Sequence, residues 1–358
     1  MHLTRSDPRP RRTLWVSLAL VSLLAVAFIA NRVWFSPPLR AFEARREMMD
    51  TFVEVIVYAW DDEDAQRATD AALERIAEVE AIASIYDEQA EAFRLNRDGR
   101  LEDPSPELLE ILDASVRISR LTEGAFDVTI EPLLALWRYD SSVTSQFWEL
   151  EQADQEAAIE EVMARIGSDL IRVSTEAGSW IRLSPGVAIT LGGIAKGYAV
   201  DQGLVALRER GVRYALIDAG GDIGVMGGKP DGTPWQIALR NPGDADDALT
   251  RFEIVDGAIA TSGNYERYFD PDAQVGHIMD PRTGFSAQEA SSATVIATSC
   301  TDADALATAL FVLGPVEGVA LAERLEGVEA MVLDYDEPRV IARTEGLAAY
   351  ERPVKGGR

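Results

Sequence analysis

The chain has 358 residues, 47% of them apolar, and a formal net charge of −26. That is enough apolar material for a sizeable core. It is also enough negative charge to disfavour nucleic-acid binding, which sets Lys and Arg against phosphate. The single cysteine, Cys300, excludes an internal disulfide framework and reads as a small, partly buried structural residue rather than a reactive thiol.

Residues 1–13 are basic, with Arg5, Arg9, Arg11 and Arg12. Leu14–Ala30 follows as an unbroken apolar and small-residue stretch. A basic segment before an apolar one is a secretory signal or an N-terminal anchor. Its length is near the lower limit for a spanning helix. The arginines would stay on the cytoplasmic side, which places the body outside. Ala25-Val26-Ala27 offers a cleavage site, but the reading favoured here is an uncleaved membrane-spanning anchor. Residues 31–47, with Pro37-Pro38, read as a linker, residues 48–345 as the body and residues 346–358 as a tail.

Within the body, Phe52–Tyr58 is a β-branched run expected to form a strand. Asp61–Ser84 has acids at its start, where they suit the helix dipole, and Ala72, Ile76, Val79 and Ala83 on one face. Helical spacing recurs at Pro104–Leu121 and Gln152–Ile166. After Gly167, short apolar strands alternate with glycine-rich turns, around Val187–Thr190, Tyr214–Asp218, Trp235–Arg240, Ala258–Thr261 and Ala293–Thr298. Helices are expected at Ile194–Arg210 and Asp302–Val312. This mixture predicts an α+β body, with a ligand cleft between its parts.

Four segments carry candidate chemistry. In Leu191-Gly192-Gly193-Ile194-Ala195-Lys196-Gly197, paired glycines open a helix whose free N–H groups attract anions, and Lys196 is placed to hold a phosphate. The alternative is a tight turn with a solvated lysine. Ala219-Gly220-Gly221-Asp222 repeats the pattern of a strand followed by glycines. Asp304 and Thr308 stand four apart on a predicted helix, so they share a face. A carboxylate and a hydroxyl there suit Mg²⁺, although the same spacing is common on plain helix surfaces. Asp302, on another face, is the expected N-cap. Finally, Gly276-His277-Ile278-Met279-Asp280-Pro281-Arg282-Thr283-Gly284 holds the only histidine of the body. An imidazole base near neutral pH has to be His277, because the other histidine, His2, precedes the apolar segment. Asp280 is close enough in sequence to orient a neighbour.

Taken in order, these segments resemble the ApbE family of FAD:protein FMN transferases, from about Met49 to about Gly314. The resemblance rests on Met49-Asp50-Thr51, Ser84-Ile85-Tyr86, Arg94-Leu95-Asn96, Gly124-Ala125-Phe126-Asp127, Pro132-Leu133 and Leu136-Trp137. It continues through Gly192–Asp201, Ala219–Asp222, Thr261–Arg267, His277–Gly284 and Asp304–Ala309. It implies an ApbE-like α+β body with FAD held in a cleft. The implied reaction moves FMN from FAD to a Thr or Ser hydroxyl of an acceptor protein, such as a redox-complex subunit, and releases AMP. Hydrolysis of FAD to FMN and AMP is the alternative enzymatic reading, and a non-catalytic flavin-binding protein is the third. The same resemblance assigns FAD contacts to Met49, Tyr86, Ala125, Phe126, Asp127, Lys196, His277 and Ile278. It assigns Mg²⁺ to Asp304, Thr308 and the carbonyl of Gly193, and the role of base to His277. It also implies an extracytoplasmic location, in agreement with the anchor, so that the catalytic domain would face the periplasm from the inner membrane. Two positions depart from the family pattern. Asp50 stands where the family has glycine. Thr190 stands where it has an aspartate that would contact the flavin.

Overall fold

The structure, a computed structural model, describes residue 22 and residues 38–352 apart from 140, 144, 176–177, 242–243, 264–267, 271–274 and 335–339. The Leu14–Ala30 segment, Ser22 excepted, lies outside the described residues, as does Asn264–Arg267 of the Thr261–Arg267 motif. The chain divides into Met1–Arg40 and Ala41–Arg358, and the elements below build the second unit.

In chain order the strands and helices are β1 (Arg40–Met48), β2 (Thr51–Ala59), α1 (Asp62–Ala83), α2 (Glu91–Asp98), β3 (Arg100–Glu102) and α3 (Pro106–Leu121). Next come α4 (Glu131–Trp137), α5 (Gln152–Met163), β4 (Ile171–Ser174), β5 (Trp180–Leu183) and α6 (Ala195–Glu209). Then follow β6 (Ala215–Ala219), β7 (Asp222–Met226), β8 (Trp235–Asn241), β9 (Asp244–Ile254), β10 (Gly257–Gly263), β11 (Tyr268–Asp270) and β12 (Val275–Gly276). The last are β13 (Ser292–Ala297), α7 (Cys300–Ala322), β14 (Glu329–Leu333), β15 (Ile341–Arg343) and β16 (Glu351–Arg352).

The central sheet runs β1-β2-β6-β7-β10-β13-β14-β15. From β2 onward each neighbouring pair is antiparallel. Successive side chains of a strand point to opposite faces, and here the two faces differ in size. Ala258, Ala260, Ala293, Ala297 and Ala330 point to one side, where α1, α6 and α7 pack. Small side chains there let the alanine-rich α7 approach the sheet closely. Ile259, Ile296, Met331 and Leu333 point the other way, into a second core closed by Trp235, Ile237, Leu239, Phe252 and Ile254 of the β16-β9-β8 sheet. This three-layer antiparallel arrangement is the expected α+β class.

Several boundaries differ from the sequence expectation. The segment read as a linker contains β1, an edge strand whose Phe42 and Ala44 face the core between charged residues. Val187–Thr190 is extended chain and not a strand. Its backbone is held by the Asn96 side chain, which donates to Ile189 O (2.8 Å) and accepts from Ile189 N (2.7 Å), and by a Thr190 N–H to Val128 O bond (2.8 Å). The N-cap of α7 is Ser299, whose hydroxyl accepts from Asp302 N at 3.1 Å; Asp302 lies in the first turn and pairs with Arg117. α7 runs past Val312 to Ala322, with a break at Gly314 ahead of Pro315. By length and composition α7 would pass for a membrane span, but most of it is buried against the sheet as a core helix. Near the C-terminus, Leu347 is buried in the second core and β16 pairs with β9.

Candidate active site

The site grows from the way α6 meets α7. A helix start leaves backbone N–H groups without partners and favours negative charge. No side chain of its own caps α6, whose N-cap position is Ile194. Asp304 of α7 supplies the acceptor, taking the Gly197 N–H at 2.9 Å. The favour is returned at the other helix start, where Asp201 of α6 accepts from Cys300 N and Thr301 N (both 2.9 Å) and from the Thr301 hydroxyl (2.6 Å). The two helices thus cap each other. Gly197 is required at the crossing, because a Cβ there would lie 2.2 Å from the Cys300 carbonyl oxygen and 2.8 Å from the Asp304 Cβ. Cys300 itself is fully buried, with its thiol pKa pushed up by burial, which agrees with a structural role.

Around Asp304 the groups are polar and largely cut off from water. The Lys196 ammonium is paired with Asp222, and Asp222 is only 2% exposed. Burial raises the Asp222 carboxyl, and the lysine opposes that rise. Asp304 is pushed up to about 7, first by burial and then by the nearby Asp222 charge, with Lys196 and the Gly197 N–H acting against both. Among the described residues its Oδ1 makes no hydrogen bond, so one oxygen of a buried carboxylate is open to a ligand. One turn further on, the Thr308 hydroxyl lies 3.2 Å from Ser262 Oγ at the end of β10. Gly193 closes on the same spot: a Cβ there would stand 3.3 Å from Thr308 Oγ1 and 3.3 Å from the Phe126 ring. Gly193 and Thr308 therefore stand side by side, one turn of α7 beyond Asp304. Among the described residues no cluster of three or more His, Cys, Asp or Glu side chains forms a metal site.

The remaining predicted residues are spread over several elements. Ala125 and Phe126 are buried, the Phe126 ring against Gly193, and Thr190 is tied to Val128 just after them. The Asp127 carboxylate is consumed internally. It accepts from Thr129 N (2.9 Å) and Oγ1 (2.6 Å), Ser119 Oγ (3.0 Å) and Ser168 N (2.8 Å), so it shapes the loop. Met49 and Asp50 form the two-residue turn between β1 and β2, with φ of 54° and 56°. That left-handed backbone accounts for a family preference for glycine at Asp50, and aspartate is among the residues that tolerate it best. Glu80 of α1 accepts the Met49 N–H at 2.7 Å and fixes the turn. Tyr86 is 70% exposed, with the Arg138 guanidinium 6.0 Å from its ring centre.

His277 follows β12 and is half-buried, and Ile278 beside it is buried in the main core. Asp280 does not reach back toward the histidine. It accepts from the backbone and side chain of Arg282 (2.8–2.9 Å) and holds the following turn. Trp137 anchors that turn through its indole N–H to Gly284 O at 2.9 Å. The sequence reading assigned no role to Asp222, Asp201, Asn96 or Ser262. Only Asp222 carried a local signal, as the first residue after a glycine pair.

This antiparallel α+β body brings a glycine corner, a lysine paired with a buried aspartate, and the Asp304–Thr308 turn of α7 together, and sequence and structure comparisons give it a family. The ApbE family profile matches residues 49–332. The chain belongs to the ApbE family. An FAD:protein FMN transferase of Vibrio cholerae is 33% identical over 283 residues, covering 77% of this chain and 81% of that protein. One of Haemophilus influenzae is 31% identical over 260 residues, covering 70% and 73%. The crystal structure of the ApbE protein of Thermotoga maritima superposes with a TM-score of 0.77 at 29% identity, covering 87% of this chain and all of that one. The flavin transferase ApbE of V. cholerae gives a TM-score of 0.73 at 27% identity, also over 87% of this chain.

Proposed function

We propose that this chain is an FAD:protein FMN transferase, and that it moves FMN from FAD to a Thr or Ser hydroxyl of an acceptor protein and releases AMP. The observation that carries the reading is the α7 turn of buried Asp304 and half-buried Thr308 with Gly193 against the threonine, and with one Asp304 oxygen unused among the described residues. A carboxylate, a hydroxyl and a carbonyl are the donors that Mg²⁺ accepts alongside phosphate oxygens. When bound, Mg²⁺ would neutralise charge on the diphosphate. Lys196, held by Asp222, would contact a phosphate, and the Gly192-Gly193 corner would let the diphosphate approach the backbone. Met49, Tyr86, Ala125, Phe126, Thr190 and Ile278 would frame the flavin, with Asp127 acting through the loop it holds. His277 would take the proton of the acceptor hydroxyl as that oxygen bonds to the FMN phosphorus and the bond to AMP breaks.

The same reading places the body outside the cytoplasmic membrane, on the periplasmic side, held by the Leu14–Ala30 anchor behind its arginines. The test is incubation with FAD, MgCl₂ and a purified redox-complex subunit. A fluorescent, covalently flavinylated subunit is expected, with AMP formed in equal amount. His277→Ala should still bind FAD but transfer 10²–10⁴-fold more slowly. AMP without a labelled protein would assign hydrolysis instead, and bound FAD without turnover would assign a binding protein.

A further inference from the structure

A row of arginines crosses the small β3-β5-β4 sheet. In the antiparallel register Arg100 stands opposite Arg182, and Arg182 opposite Arg172. Directly opposed residues share a face, so the three side chains leave the sheet about 5 Å apart at Cβ on the solvent side, while Leu101, Ile181 and Leu183 turn inward. Like charges so placed are destabilising. The cost is only partly relieved. Arg100 is paired with Glu102, and Arg97 of α2, which joins the cluster, is paired with Asp98 at 2.7–2.8 Å. Among the described residues the side chains of Arg172 and Arg182 make no ion pair or hydrogen bond. Two unmatched cations at the centre of a basic row are out of keeping with a chain of net charge −26. All four arginines line one open hollow of about 760 Å³, with Ser184 and Ala188.

The chain that lines this hollow leads on to the glycine corner of the candidate site. From Ala188 the chain passes through Ile189, clamped by Asn96, to Thr190, Leu191, Gly192 and Gly193. Five residues span at most about 18 Å. A protein interface covers about 800 Å² of each partner, so a protein bound at Gly193 extends over the arginine row. We propose that the Arg100–Arg182–Arg172 row docks an acidic segment of the acceptor protein and orients it for transfer. This rests on the transferase reading, since only a reaction on a protein requires a second chain here. An extended segment advances about 3.3 Å per residue, so acidic side chains a few positions apart meet successive guanidinium groups, each of which can donate two hydrogen bonds to a carboxylate. An anionic bilayer suits the row less well, because a single line of charge on a strongly acidic body is repelled by such a surface.

The probe is a fluorescein-labelled hexaglutamate peptide, followed by anisotropy with the full chain at low and moderate salt. Wild type should bind it with an affinity that falls as salt rises. R172S/R182S should weaken binding at least fivefold and flatten the salt dependence, whereas R172K/R182K should keep most of the affinity. Unchanged binding by R172S/R182S would overturn the proposal. So would displacement of the peptide by stoichiometric pyrophosphate, which would make the hollow a small-anion site. Capture by phosphatidylglycerol vesicles in place of the peptide would overturn it in favour of a membrane. FAD binding, measured alongside, should be equal in wild type and R172S/R182S. Its absence from both would count against the transferase reading while leaving the peptide result to judge the docking site.

Discussion

Asp304→Asn should have two opposite effects. In the folded protein the Asp304 carboxyl is pushed from 3.8 to about 7 by burial and by Asp222. At about 1.4 kcal/mol per pH unit, its charged form is disfavoured by about 4 kcal/mol. The folded protein holds this proton more tightly than the unfolded chain. Stability therefore falls as pH rises from about 4, and the loss is complete above about 7. The substitution removes the charge yet keeps an oxygen for the Gly197 N–H. In EDTA at pH 8 the variant should be more stable than wild type by up to about 4 kcal/mol, or about 6 °C in Tm for a body of this size. The gap should narrow as pH is lowered toward 4. Comparing variant with wild type isolates this residue from Asp222, Asp218 and Asp201, which burial also raises. Excess MgCl₂ should raise the Tm of wild type and leave the variant unmoved, and FMN transfer by the variant should be lost. Calorimetry over this pH range checks it. A variant no more stable than wild type at pH 8 without metal would refute the reasoning.

Lys196→Met should cost about 3–5 kcal/mol in urea unfolding, because it leaves Asp222 charged and buried without a partner. Adding Asp222→Asn to it should restore much of that loss. Gly197→Ala should destabilise by about 1–3 kcal/mol and weaken FAD binding together, since the new Cβ meets the Cys300 carbonyl at 2.2 Å and must part α6 from α7. Asp50→Gly should stabilise by about 0.5–1 kcal/mol in the same assay, because φ of 56° is free for glycine and strained for aspartate.

The regular elements were legible where side-chain periodicity is strong. α1 starts and ends within a residue or two of its expected limits, because acids mark its start and an apolar stripe marks its length. β1 was hidden, since an edge strand with one solvent face carries Arg and Glu between its few apolar residues. Val187–Thr190 has the composition of a strand, but its hydrogen bonds go to a side chain and a loop, which local sequence does not encode. α7 outran its expected end because a second helical stretch follows directly on the kink at Gly314, past the glycine and proline that read as its stop. In the site, Asp304, Thr308, Gly193 and Lys196 were readable from motifs. The partnership of Lys196 with Asp222 was not, since 26 residues separate them and only the sheet brings them together.

The mutual capping of α6 and α7 makes their junction a single mechanical part. Neither helix start can fray without exposing a carboxylate from the other, so Lys196, Asp304 and Thr308 open together or not at all. The β8–β9–β16 layer shares no such tie with them. Amide exchange should thus divide the body into a slow block at the helix junction and a faster outer layer. The outer layer is free to drift in sequence while the reaction centre keeps its shape.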